Sequence, residues 1–125
     1  MRIVFAIARF LLGFIFLVFG LNGFFHFLPM PPPTGVAAQF FGALAASGYL
    51  IVIFAIQVIA AILVLIDRYV PLALTLLGPV IVNILCFHFF MAPEGIPLAL
   101  LVTILWIIVY YPHRTAFAGL FQGRV

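Results

Sequence analysis

Residues Pro71 to Met91, PLALTLLGPVIVNILCFHFFM, form an apolar run of 21 residues that nonetheless contains Pro79, Asn83, Cys86 and His88. At about 1.5 Å rise per residue such a run crosses the roughly 30 Å hydrocarbon core of a bilayer, which needs about 20 apolar residues. Lipid offers no hydrogen-bond partner, so a polar group at that depth must find one on a helix or cost free energy on the order of kcal/mol. The run therefore predicts a membrane-spanning helix, with function expected where that helix meets its neighbours.

The rest of the chain has the same character. Of its 125 residues 69% are hydrophobic and 6% charged, outside the composition of soluble globular domains. Five arginines against Asp67 and Glu94 leave a net charge of +3. They are spread too thinly for a nucleic-acid footprint or a polybasic lipid-binding cluster. The expected partner is the bilayer, not nucleic acid. Cys86 is the single cysteine, which forbids an internal disulfide, a CxxC pair or a multi-cysteine metal site.

Read in order, the chain predicts an all-α, four-transmembrane-helix bundle in one domain, residues 1–125. The first span is retained rather than cleaved, because its apolar stretch is long and has no small-residue cleavage site behind it. Its lipid-crossing part is Leu11 to Leu28, with Arg9 extending its stem toward the head groups. Gly13, Gly20 and Gly23 fall within about 80° of arc at 100° per residue, a smooth strip for a neighbouring helix. PMPPPTG (29–35) stops the helix, since successive prolines remove donors and clash with the preceding turn. Val36 to Ser47 is too short to cross and is expected at the outer interface or dipping back into the protein, capped by Thr34 and closed by Gly48.

Tyr49 to Ile66 is the second span, and Asp67-Arg68-Tyr69 turns the chain tightly into the third, residues 71–91. Pro79 should kink that helix and free a carbonyl one turn earlier, which Thr75 is placed to satisfy. After the turn Ala92-Pro93-Glu94-Gly95, the fourth span covers 96–111, and Phe117, Leu120 and Phe121 recur at helical spacing in a tail expected along the membrane. With a cytoplasmic N-terminus, Arg2, Arg9, Arg68, Arg114 and Arg124 all fall inside. Both termini are thus expected in the cytoplasm.

Depth sorts the polar residues into layers. Gln57, Asn83 and Thr103 fall within about 3 Å of the midplane and Asn22 about 4 Å outward, while His26 and His88 lie roughly 10 Å outward. Asn22 and His26 share a face within about 40°, whereas Asn83 and His88 diverge by about 140°. The candidate ligand residues are Asn22, His26, Gln57, Asn83 and His88. Gln57 and Asn83 are expected to face the bundle interior. Asn22 and His26 could hold a quinone carbonyl by two donors among Phe24, Phe25, Phe40 and Phe41, with haem a more remote ligand and no metal site. The alternative is structural: interhelical hydrogen bonds of about 0.6 kcal/mol each, with His26 capping the first span.

The pattern ARFLLGFIFLVFGLNGFF, a proline-rich break, a short apolar helix, then IQVIAAILVLIDRYVPLAL and VNILCFHFFMAPEGIPLAL resembles the DoxX family of small bacterial membrane proteins over nearly the whole chain. Its better markers are Gly13, Gly20, Asn22, Gln57, Asn83, His88 and the APEG turn. The resemblance implies a four-span bundle in the bacterial inner membrane. Some relatives are linked to quinone-dependent oxidation of sulfur compounds or to membrane oxidoreductase complexes, and most have no assigned activity. Many carry a glutamate where this chain has Gln57, whose amide cannot titrate, leaving a proton-transfer role without its titrating group. Three functions follow: a redox-linked subunit binding a quinone or other lipid-soluble ligand beside a membrane oxidoreductase partner, a non-catalytic anchor or assembly subunit, or a small-molecule transporter, for which four spans without an intramembrane acid need a homo-oligomer.

Overall fold

A computed structural model describes residues 1–124 as α1 (Arg2–Phe25), α2 (Gly35–Ser47), α3 (Tyr49–Leu65), α4 (Val70–Phe90) and α5 (Ile96–Tyr110), with 3-10 segments at Pro93–Gly95 and Tyr111–Phe121. The protein is an all-α bundle. Helix α1 packs on α3, α3 on α4, α4 on α5 and α5 back on α1, so the four long helices close a ring. Leu12, Phe16, Val64, Leu74, Leu77 and Val109 fill its centre, with Ala60, Ala61 and Ala73 where backbones come close.

The outward faces are as apolar as the core, with Phe10, Phe14, Ile59, Val82, Ile104 and Ile107 all exposed. Continuous exposed hydrocarbon of this kind is suited to lipid rather than water. Helices α1 and α4 and the helical stretch Pro93–Phe121 are each long and apolar enough to cross a membrane, and α2 with α3 makes a fourth if that bent pair is one span.

Helix α1 is shorter than the expected first span at its C-terminal end. It begins at Arg2, and it stops at Phe25 rather than Leu28, because His26 takes a left-handed conformation (φ 51°) and its N–H donates to the Asn22 carbonyl. The Asn22 side chain then accepts from the Leu28 N–H at 2.7 Å, holding the departing chain against the last turn. Arg9 departs from expectation as well. Instead of reaching toward head groups, its guanidinium donates to the carbonyls of Val64 and Leu65 at 2.6 and 3.0 Å, satisfying the C-terminus of α3.

Helices α2 and α3 meet at 87°. Gly48 makes that corner at φ 83°, where a Cβ would be strained, and closes α2 through its N–H to Ala45. Thr34 is the N-cap of α2 but makes no side-chain capping bond. Instead α2 is held by rings: Phe87 of α4 lies 5.8 Å from Phe40 and 5.0 Å from Phe41.

Two further expectations are corrected inside the bundle. The Thr75 hydroxyl donates to Pro71 O at 2.8 Å, not to the carbonyl that Pro79 frees, because its short stem reaches only its own preceding turn. The C-terminal tail does not lie wholly along the surface. Phe117 is buried 5.2 Å from the Tyr110 ring and pins the 3-10 segment to the bundle, while Leu120 and Phe121 remain exposed.

Candidate functional site

The outer layer does not assemble as the sequence predicts. The Asn22 amide is already engaged on both sides, accepting from Leu28 and lying 3.5 Å from the Met30 sulfur. His26 stands exposed at the end of α1, and Phe24 and Phe25 are exposed beside it. The left-handed φ at His26 turns its Cα–Cβ bond from the helical direction, and among the described residues no hydrogen bond joins His26 to Asn22 and no ring contact joins it to Phe24, Phe25, Phe40 or Phe41. On φ alone, His26→Gly is expected to raise stability by about 0.5–1 kcal/mol, since glycine adopts the left-handed conformation without a Cβ clash. A thermal melt in detergent checks this. A lower midpoint would mean that the imidazole contributes contacts that outweigh the strain.

His88 has a different setting. Its Nδ1 is 3.0 Å from Ala92 O, and its ring packs on Gly95, where a Cβ would collide with it. It therefore fastens the turn between α4 and α5. The approach needs glycine at position 95.

The midplane layer divides. Gln57 is 7% exposed and faces the interior against α1, where an added Cβ on Gly20 would sit 3.4 Å from the Gln57 Cβ. Asn83 is exposed, contrary to expectation, and its amide donates to Pro79 O at 2.8 Å on the same helix. A proline inside a helix disturbs the backbone ladder around it, and an asparagine four residues on can turn back to the Pro79 carbonyl. Thr103 likewise bonds Ala99 O at 2.8 Å. Among the described residues, no hydrogen bond joins any two of Asn22, His26, Gln57, Asn83 and His88.

Gln57 makes no side-chain hydrogen bond within the chain among the described residues, and since no fully buried side-chain N or O there lacks a partner, its amide atoms keep a small accessible surface although the residue as a whole is buried. Gln57→Leu is expected to leave the melting midpoint unchanged or raise it by the equivalent of about 1 kcal/mol, because replacing a buried amide with a similar apolar shape is near neutral or stabilising. A drop of more than about 2 kcal/mol would show that the amide holds an obligatory partner.

Sequence reasoning passed over an apolar groove of about 520 Å³ along α4 and α5, lined by Leu74, Gly78, Trp106, Tyr110, Phe117 and Phe121 among others. Trp106 and Tyr110 stack with ring centres 5.5 Å apart, and the Trp106 indole N–H donates to Leu74 O at 3.0 Å. The Tyr110 hydroxyl makes no hydrogen bond within the chain among the described residues. The only sequence signal for this groove is the i, i+4 spacing of Trp106 and Tyr110 opposite Gly78. Such a groove can take a hydrocarbon chain or a flat ring by contact and stacking, with the hydroxyls of Tyr110 and Thr75 in its lining, the latter already donating to Pro71 O.

The chain matches no family model, no curated protein and no solved structure.

Proposed function

We propose that this chain is a non-catalytic anchor or assembly subunit of DoxX type in the bacterial inner membrane. One observation carries this reading: Asn22, Thr75, Asn83, His88 and Thr103 each bond a backbone group of their own helix or the adjoining turn. Polar side chains used this way fix local helix geometry and leave few donors for a substrate. The distribution of Arg2, Arg9, Arg68, Arg114 and Arg124 supports cytoplasmic termini. In a Cys86-free background, a cysteine at Glu94 should be labelled from outside and one at Gln122 should not; the reverse pattern would overturn the orientation.

A second reading, a redox-linked subunit that binds a quinone, is favoured by the stacked Trp106 and Tyr110 beside an open groove. This moves the ligand from the Asn22–His26 layer to the α4–α5 face. Quinone extracted from the protein purified out of native membranes separates the two readings. The anchor reading expects the quinone-to-lipid ratio of the bulk membrane in wild type, His26→Ala and Tyr110→Phe alike. The quinone reading expects enrichment that His26→Ala keeps and Tyr110→Phe loses.

A further inference from the structure

We infer that the end of the bundle where the termini meet the Asp67 turn is a binding site for the phosphate-bearing head group of an acidic phospholipid. Arginines that are scattered in the sequence are gathered there by the fold. An open cleft of about 290 Å³ is bounded by Arg2 and Arg9 of α1, Asp67 of the α3–α4 turn and His113 of the last 3-10 segment, over Phe5, Ala6 and Val109.

The groups in the cleft are not equivalent. Arg9 is half-buried and engaged by Val64 O and Leu65 O, and its Nε lies 3.7 Å from the Asp67 carboxylate. It positions the wall. Arg2 is exposed and has neither a hydrogen-bond partner nor a carboxylate within ion-pair distance among the described residues, and the half-buried His113 makes no side-chain hydrogen bond there. Two guanidiniums against one carboxylate leave an excess positive charge. The positive end of the α1 dipole adds to it. Arg114, next in sequence, is held away over the Tyr111 ring at 4.1 Å and donates to Tyr111 O, while Tyr111 stacks 6.1 Å from Phe5.

A guanidinium and an imidazole above a hydrocarbon floor match a phosphate diester carrying acyl chains better than a fully hydrated anion. Basic pockets between spanning helices at a membrane surface hold acidic lipid head groups in this manner. The inference rests on the membrane-embedded bundle and on neither the anchor nor the quinone reading, so it stands or fails independently of the quinone assay.

The test is retention of phosphatidylglycerol from mixed phosphatidylglycerol–phosphatidylcholine micelles, counted by native mass spectrometry on the full chain. Wild type should retain phosphatidylglycerol in preference to phosphatidylcholine. Arg2→Gln combined with His113→Gln should lower that retention about fivefold or more, the loss expected for one arginine charge near a lipid surface, with an unchanged thermal midpoint. Arg68→Gln, which removes one arginine charge outside the cleft, should retain the lipid as wild type does. Equal retention of the two lipids by wild type, or an equal loss in Arg68→Gln and the double variant, would overturn the site. Displacement of phosphatidylglycerol by millimolar inorganic phosphate would assign the cleft to soluble phosphate and overturn the lipid as its source.

Discussion

Arg9→Met is expected to lower the stability of the bundle by about 2 kcal/mol or more, the scale of a lost hydrogen bond to a charged group at a partly buried site. The last turn of α3 has carbonyls without helical partners. Ile66 donates to Ile62, Asp67 to Val64 and Arg68 to Leu63, so backbone closure leaves the Leu65 carbonyl to Arg9. Because Arg9 belongs to α1, its two bonds also join the first helix to the third. Methionine keeps most of the apolar stem but supplies no donor. Arg9→Lys keeps the charge on the α3 dipole and, like Nη1, its one nitrogen can donate to both carbonyls, but its stem is shorter than the arginine's, so an intermediate loss is expected. Asp67→Asn should cost little, since the carboxylate is 60% exposed and 3.7 Å from Nε, a geometry in which surface ion pairs contribute about 0–1 kcal/mol. Unfolding titrations in mixed detergent should rank the variants Met, then Lys, then Asp67→Asn in order of damage. Met and wild type unfolding together would show that water or lipid satisfies these carbonyls equally well.

The rank order tests the kind of feature that sequence patterns hide. Apolar runs and proline breaks locate the helices to within a few residues, because their length and lack of donors leave few other structures in lipid. The glycine strip on α1 and the corner at Gly48 are also legible, since close approach and left-handed backbone both select glycine. Rotation of each helix about its axis is not legible. When lipid-facing and core-facing sides are equally apolar there is no stripe to distinguish them, and Asn83 accordingly points outward while Gln57 points inward. Nor does depth alone reveal a hydrogen-bond partner. Asn22 and His26 share a helical face only while the helix continues, and it ends at Phe25. Arg9 could have been read either way, because a snorkelling stem and a helix-capping stem have the same length; the nearby end of α3 decides it. The Arg2–His113 cleft was invisible for a related reason, since its residues lie more than a hundred positions apart.

Gly13→Ala tests the feature that was legible. Gly13 is buried where α1 crosses α3, and a Cβ there would lie 2.7 Å from Leu65 Cγ, 2.8 Å from its Cδ2 and 3.3 Å from the Ala61 carbonyl oxygen. Leu65 can relieve the first two contacts by rotating, but the carbonyl belongs to the α3 backbone and yields only if the helices separate. Overpacking of this kind costs about 1–3 kcal/mol, whereas alanine recovers up to about 1 kcal/mol of helix propensity, so the net expected loss is about 1–2 kcal/mol. Valine should lose more, because its branches meet both the side chain and the backbone. Leu65→Ala removes the nearest obstacle, so the double variant Gly13→Ala, Leu65→Ala should be less destabilised than the two single losses added together, with a coupling of about 0.5 kcal/mol or more. Unfolding midpoints of the four proteins give that coupling directly. Strict additivity would mean that α1 and α3 adjust without contact between these positions, and the close approach at Gly13 would then not be what sets their separation.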